Sequence, residues 1–310
     1  MSTLDFSTKI GSKRFSNPIF TASGCASSGQ ELSQFFPLTE LGAIVTKSIM
    51  TKSRTGRLTP RMAETPSGML NSIGLQGPGI DAFLENDIPW LVEQKAKIIV
   101  SIAGETVDEY GVLSRRLRAI SGISAVEVNI SCPNVENRGQ VFACHPDTSV
   151  AVIEAVRRNI GGELPIIAKL SPDVTDIVQI AAAVINAGVD GLALINTLLG
   201  MVIDTNSMRP KLAGKTGGLS GPAIRPVAVR AIYQVHQAFP NTPIVGMGGV
   251  VSGRDAFELI LAGASAVSIG TASFGNPNAA MLVKCQLSDL LIERGFNDFR
   301  DAIGFAHRGL

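Results

Sequence analysis

"PIVGMGGVVSGRDAFELILAGASAVSIGT", residues 243–271, holds the unit from which the fold can be read. An apolar run over 243–249 is followed by a segment of helical periodicity over 253–264, and then by a second apolar run over 266–271. Runs that are apolar at every position fit strands buried on both faces, and a helix between two of them reads as a parallel crossover. Gly263 suits the helix C-terminus, where a residue free of a Cβ can turn left-handed.

The same kind of run recurs along the chain: "PIFTAS" (18–23), "AIVTK" (43–47), "IIVSIAG" (98–104), "AVEVNI" (125–130), "PIIAKL" (165–170) and "GLALIN" (191–196). With the two runs above, these make eight predicted strands. Helical periodicity fills most of the intervals. "DTSVAVIEAVRRNI" (147–160) has Asp147 or Thr148 as expected N-cap and apolar positions at Val152, Ile153, Val156 and Ile160, and "VTDIVQIAAAVINAG" (174–188) ends at Gly188. Eight alternations of strand and helix predict a (β/α)8 TIM barrel with long loops over its C-terminal face, not a doubly wound sheet. No linker or shift of composition divides residues 1–310, so one domain is expected.

Composition narrows the function classes. The chain is 45% hydrophobic and 17% charged, which supports a large buried core, and its formal net charge of +1 gives no reason to expect nucleic acid or a membrane surface as partner. No apolar run reaches the ~18 residues of a membrane span, and "MSTLDFSTKIGSKRF" has no apolar signal-type region, so a cytoplasmic location is expected. The four cysteines, Cys25, Cys132, Cys144 and Cys285, form no C-x-x-C pair. That spacing argues against zinc and iron–sulfur sites and predicts lone thiols, with no metal expected.

A barrel gathers its chemistry at the C-terminal ends of its strands. Those ends carry Ser23-Gly24, Lys47-Ser48, Ser101 and Gly104, Asn129 and Cys132, Lys169, Asn196-Thr197, Gly248-Gly249, and Gly270-Thr271. One polar strand end needs no explanation, because a loop begins there. Two lysines and a thiol among eight such ends are costly to bury without a ligand or counter-ion. "GMGG" and "IGT" end the seventh and eighth strands, where backbone N–H groups in many barrels hold a phosphate. Two connections are long, 49–80 and 198–221, and their glycines suit loops that fold over a ligand. Lys52, Arg54, Arg57 and Arg61 in the first either hold an anion or face solvent, and solvent is expected for most.

Taken together, "TASG", "TKS", "NSIGLQGPG", "NISCPN", "AKLSP", "LINTLLGM", "GGLSGPAIRPVAVR", "GMGG" and "SIGTA" resemble dihydroorotate dehydrogenase of class 1, from about Asn17 to the last strand. "GLQGPGIDAFLENDIPWL" and "INTLLGM" resemble most the catalytic subunit of the 1B branch. Class 2 relatives, which use serine as base, are less similar. The resemblance implies an FMN enzyme that oxidises dihydroorotate to orotate in pyrimidine synthesis. It also implies a homodimer, joined in a heterotetramer by a separate subunit that carries FAD and a [2Fe–2S] cluster and passes electrons to NAD+.

Residue roles follow from the matched motifs. Cys132 corresponds to the base that takes the C5 proton while hydride leaves C6. Lys47, Asn71, Asn129, Asn134, Asn196 and Thr197 correspond to substrate contacts, with the backbone of Ser72, Ile73, Gly74 and Leu75 completing the cup. FMN contacts carried over are Ser23, Lys47, Ser48, Asn129, Lys169 and Ile195, followed by Gly221, Gly248, Gly249, Gly270 and Thr271. Lys169 corresponds to the lysine beside the flavin N1/O2 edge. Ser101 is a departure, since 1B relatives often carry asparagine there and other class 1 members serine; it too is expected at the flavin. Cys25, Cys144 and Cys285 match no required position and read as packing, and His145, His236 and His307 as surface or cap residues.

Other readings stay open on the residues alone. Lys169 at a barrel strand end also suits a Schiff-base aldolase. A tRNA-reducing flavin barrel uses a cysteine but calls for a basic face, and a flavin-free barrel could serve as a binding or scaffold subunit. Within the resembled class, a stand-alone 1A-like enzyme would use fumarate or another acceptor in place of NAD+.

Overall fold

The computed structural model describes residues 4–131 and 145–309. Its centre is a ring of parallel strands: β1 (Ile19–Thr21), β2 (Ile44–Val45), β3 (Ile98–Ile102), β4 (Ile123–Asn129), β5 (Ile166–Lys169), β6 (Gly191–Leu194), β7 (Ile244–Met247) and β8 (Ala266–Ile269). Hydrogen-bonded neighbours run β1-β8-β7-β6-β5-β4-β3-β2. A parallel bridge between Phe20 and Ala43, with Thr21 N donating to Ala43 O at 3.2 Å, brings β1 and β2 together. Each predicted run supplies one strand of this barrel.

The outer layer comprises α1 (Ile88–Glu93), α2 (Val107–Arg118), α3 (Pro146–Ile160), α4 (Ile177–Asn186), α5 (Arg225–Ala238), α6 (Gly253–Ala262) and α7 (Ala279–Glu293). The crossover from β1 to β2 is made by the 3-10 turns Leu32–Gln34 and Leu38–Glu40. Caps explain where the helices start. Ser252 accepts from Asp255 N while the Asp255 carboxylate accepts from Ser252 N, which closes a capping box on α6. Asp176 accepts from Val178 N and Gln179 N at the head of α4. The expected cap of α3 is corrected: His145 occupies the N-cap and Asp147 lies in the first turn, because Pro146 is preset for the first helical position.

Side chains alternate across a strand, so residues two apart share a face. Val45, Ile99, Ala125, Ile167, Ala193, Val245 and Ala266 form one packed group inside the barrel with Phe20. Ile10 and Phe15, from the hairpin Thr8–Ile10/Lys13–Phe15, join it at the end where the strands begin. Two residues further along the same faces come Lys47, Ser101, Glu127, Lys169, Met247 and Ser268. On five of the strands the lumen therefore changes from apolar to polar within one side-chain step, towards the C-terminal face, while Ile195 and Met247 stay apolar.

The two long connections are not separate loops. Met62–Thr65 and Gly68–Asn71 from the first, and Leu198–Met201 and Thr216–Ser220 from the second, pair antiparallel into one four-stranded sheet. The glycines of "GGLSG" permit this pairing: a Cβ at Gly218 would lie 2.0 Å from Thr197 Oγ1. The cationic residues of the first connection mostly tie it down. Arg54 pairs with Glu105, Arg61 donates to Gln76 Oε1 and Thr55 O, and Arg57 reaches Ser72 Oγ at 3.5 Å. Among the described residues no helix is long and apolar enough to cross a membrane.

Candidate active site

A cavity of about 320 Å³ opens where the polar end of the lumen meets the four-stranded sheet. That volume falls in the range of small-ligand and cofactor sites. Lys47 and Ser48 enter it from the end of β2, Asn129 from β4, Lys169 from β5, and Ile195, Asn196 and Thr197 from beyond β6. The sheet contributes Met62, Met69, Asn71 and Ser220 from above, with Ile73 and Leu75 beside them. Gly221, Gly248, Gly249, Gly270 and Thr271 form a largely backbone edge. Gly249 needs to be glycine: its φ is +73°, and a Cβ there would lie 2.8 Å from Gly221 O and from Arg225 Cβ.

Beneath the cavity the polar side chains satisfy one another. Lys169 Nζ lies 3.7 Å from Glu127 Oε1 and donates to Ser23 Oγ at 3.4 Å. Glu127 Oε1 also accepts from Ser101 Oγ at 2.9 Å, and Ser101 Oγ lies 2.9 Å from Ser48 Oγ. Asn129 Nδ2 donates to Ser48 Oγ at 3.1 Å, and Tyr110 OH secures the Asn129 backbone by donating to its carbonyl at 2.8 Å. Asn196 Nδ2 donates to Ser131 Oγ at 2.6 Å and to Asn129 Oδ1 at 3.3 Å. Across the cavity Thr271 Oγ1 donates to Ser220 Oγ at 2.7 Å, and Asn71 Nδ2 to Gly218 O at 3.3 Å. Glu127, Lys169 and Ser101 are all buried.

Most of the site residues expected from sequence meet at this one cavity. Ser101, Ser72 and Gly74 are buried but do not line it. Ser101 stands behind Ser48 as its support, and Ser72 lies under Arg57. Cys132, Asn134 and Cys144 lie outside the described residues. Sequence reading gave no role to Glu127, although its charge inside an otherwise apolar strand was a usable signal. Of the cysteines expected as packing, Cys25 lines the cavity instead and Cys285 is exposed. Burial pushes the Cys25 thiol pKa up, while the charges of Lys169 and Lys47 oppose that shift. His236 and His307 are not plain surface residues: His307 stacks on Tyr233 with ring centroids 3.8 Å apart, and burial lowers the His236 pKa.

The donor set fits a phosphorylated flavin. The glycine edge offers close backbone approach to an anion, and Lys169 offers positive charge at the floor. Ser268 supplies a further observation: its hydroxyl is buried, belongs to a cavity-lining residue and has no hydrogen-bond partner among the described residues, as expected of a group reserved for a ligand. Among the described residues no group of three or more His, Cys, Asp or Glu could hold a metal ion.

Comparison with known proteins agrees with this geometry. The family model for dihydroorotate dehydrogenase matches residues 5–291. Over 292 residues the chain is 51% identical to the dihydroorotate dehydrogenase B (NAD(+)) catalytic subunit of Desulforudis audaxviator, covering 94% of each protein. The subunit of the same name from Desulforamulus reducens is 49% identical over 98% of this chain and 99% of its own length. That of Geotalea daltonii is 47% identical over the same shares.

Proposed function

The chain belongs to the dihydroorotate dehydrogenase family, and from that premise we propose that it oxidises dihydroorotate to orotate on a bound FMN, as the catalytic subunit of an NAD+-linked enzyme of pyrimidine synthesis. The observation that carries this reading is the convergence of Lys47, Lys169, Asn71, Asn129 and Asn196 on one cavity edged by glycine backbone.

FMN, when bound, supplies the hydride acceptor. The backbone of Gly248, Gly249, Gly270 and Thr271 would hold its phosphate, and Gly221, Ile195, Ser23 and Ser48 would shape its slot. Lys169 provides positive charge where negative charge grows during the reaction, and its burial makes that charge effective. Lys47 meets the substrate carboxylate. Asn71, Asn129, Asn134 and Asn196 match a ring that alternates N–H and C=O groups, because each amide both donates and accepts. Thr197, with Ile73 and Leu75, encloses the ring.

Cys132 takes the proton from C5. A thiol with an ordinary pKa near ~8.5 is mostly protonated at neutral pH, so its surroundings must favour thiolate. A companion subunit would pass the electrons on to NAD+, a division supported by the words "catalytic subunit" and "NAD(+)" in the relatives' names, and the family resemblance implies that it would carry FAD and a [2Fe–2S] cluster. The same names weigh against a stand-alone fumarate-linked enzyme. A Schiff-base role for Lys169 is disfavoured by its setting: the amine faces a carboxylate, not the apolar or cationic surroundings that activate such lysines.

The test is anaerobic addition of dihydroorotate to the purified, FMN-loaded protein. Bleaching of the flavin absorbance with release of orotate is the expected result. A colourless protein that takes up no FMN, or borohydride trapping of a carbonyl substrate on Lys169, would overturn the reading.

A further inference from the structure

We propose that Glu127 is a positioning residue of this site: its carboxylate sets the direction of a hydrogen-bond chain that, together with the backbone N–H groups of Ser131 and Thr197, fixes which end of the Asn129 and Asn196 amides meets the substrate, while holding the Lys169 ammonium beneath the cavity. The inference rests on the functional reading above and concerns a side chain that does not itself line the cavity.

The direction follows from proton counting. A carboxylate oxygen only accepts, so Ser101, 2.9 Å away, must direct its single hydroxyl proton at Glu127 Oε1. Ser101 Oγ can then only accept from Ser48 Oγ at 2.9 Å, and Ser48 must donate to it. With that proton committed, Ser48 Oγ accepts from its remaining partner, Nδ2 of Asn129, at 3.1 Å. The Asn129 oxygen is thereby turned the other way. There it accepts from Ser131 N and Ser131 Oγ, at 3.3 and 3.1 Å, and from Asn196 Nδ2 at 3.3 Å. Asn196 Oδ1 in turn accepts from Thr197 N at 2.8 Å.

The two ends of an amide have almost the same shape, so packing alone does not choose between them. The choice is electrical and is made from two sides: Glu127 directs the serine hydroxyls on one, and the backbone N–H groups of Ser131 and Thr197 hold the amide oxygens on the other. It leaves an N–H of Asn129 and a lone pair of Asn196 Oδ1 for the ligand, a donor and an acceptor suited to the C=O and N–H edge of a pyrimidinedione. The same Oε1 atom faces Lys169 Nζ at 3.7 Å, with both side chains almost fully buried. One carboxylate oxygen thus organises the substrate-facing amides and the cation expected at the flavin.

Glu127→Gln tests this nearly isosterically. A glutamine can turn its NH2 towards Ser101 and reverse the serine hydroxyls, so that Ser48 directs its proton at Asn129 Nδ2 and opposes the amide orientation that Ser131 N holds. Ser101→Ala cuts the chain and leaves the charge pair in place. The measurements are made on FMN-loaded protein: the orotate dissociation constant from the flavin difference spectrum, the flavin reduction potential, and thermal melting. Orotate should bind about ten-fold more weakly to both variants, the loss expected for one misdirected buried hydrogen bond. Only Glu127→Gln should raise the potential, because only it removes a negative charge near the flavin.

A merely structural Glu127 would lower the melting temperature and leave orotate affinity and potential unchanged in the folded protein. That result overturns the proposal. If Glu127→Gln fails to fold or to retain FMN, Ser101→Ala decides: wild-type orotate affinity overturns the proposal and a ten-fold loss upholds it. A wild-type protein that dihydroorotate does not bleach would instead count against the functional reading. The potential of Glu127→Gln would then decide for Glu127, and an unchanged value would overturn its role.

Discussion

The apolar floor of the barrel lumen and the polar layer above it are built from the same strands, one side-chain step apart. At the floor Ile99, Ala125 and Ile167 pack against Phe20 and the N-terminal hairpin. One step on, the same strands place Ser101, Glu127 and Lys169, buried as deeply but satisfied through one another. Burial is equal and energetics are opposite. The floor gains by removing hydrocarbon from water, whereas the upper layer costs desolvation that only mutual pairing and a ligand can offset. Floor substitutions should therefore be read in stability, and upper-layer substitutions in binding and rate.

The largest expected break is at Cys132. Cys132→Ser should retain FMN and slow flavin reduction by dihydroorotate by about 10²–10⁴-fold near neutral pH, because serine is a far weaker acid–base partner. Stopped-flow absorbance checks this, and near-normal reduction would remove Cys132 as base. Next comes Lys169→Ala, which leaves the Glu127 carboxylate buried without its cation. Loss of FMN affinity and about 3–5 kcal/mol of stability are expected, measured by fluorescence titration and urea unfolding. A stable, fully loaded variant would mean that the two layers differ less than proposed.

The floor supplies the reciprocal case. Ile99→Ala should cost about 2–5 kcal/mol in urea unfolding while orotate affinity of the folded protein stays near wild type. A selective loss of orotate binding would blur the division between floor and site. The smallest effect should be at Ser252→Ala, which opens the capping box of α6 on the outer layer. About 1 kcal/mol of stability should be lost with flavin reduction unchanged.

Legibility in the sequence followed the range of the interactions. β5 and β7 could be read because continuous apolar runs of that length have few other homes, and Gly263 marked the end of α6 because its φ of +128° suits a glycine. The start of α3 differs from the expectation at Asp147 or Thr148 because Pro146, preset for the first helical position, puts the N-cap at His145. Ser101 was expected at the flavin and stands behind Ser48 instead; strand parity points it inward, but no local pattern says which inward residues reach the cavity. The role of Glu127 is hidden from local pattern for the same reason, since its partners Ser101 and Lys169 lie on other strands.

By itself the sequence determined the alternation of strand and helix, the polar residues at the strand ends and the family, all of which are written in short stretches of chain. Tertiary structure alone decided that residues 62–71 and 198–220 pair into one sheet over the barrel mouth, and that a carboxylate on β4 meets a lysine on β5 beneath it. Periodicity and turn chemistry act within a few residues, whereas these contacts depend on how whole strands are staggered around a closed ring, and that stagger is settled only when the entire barrel packs.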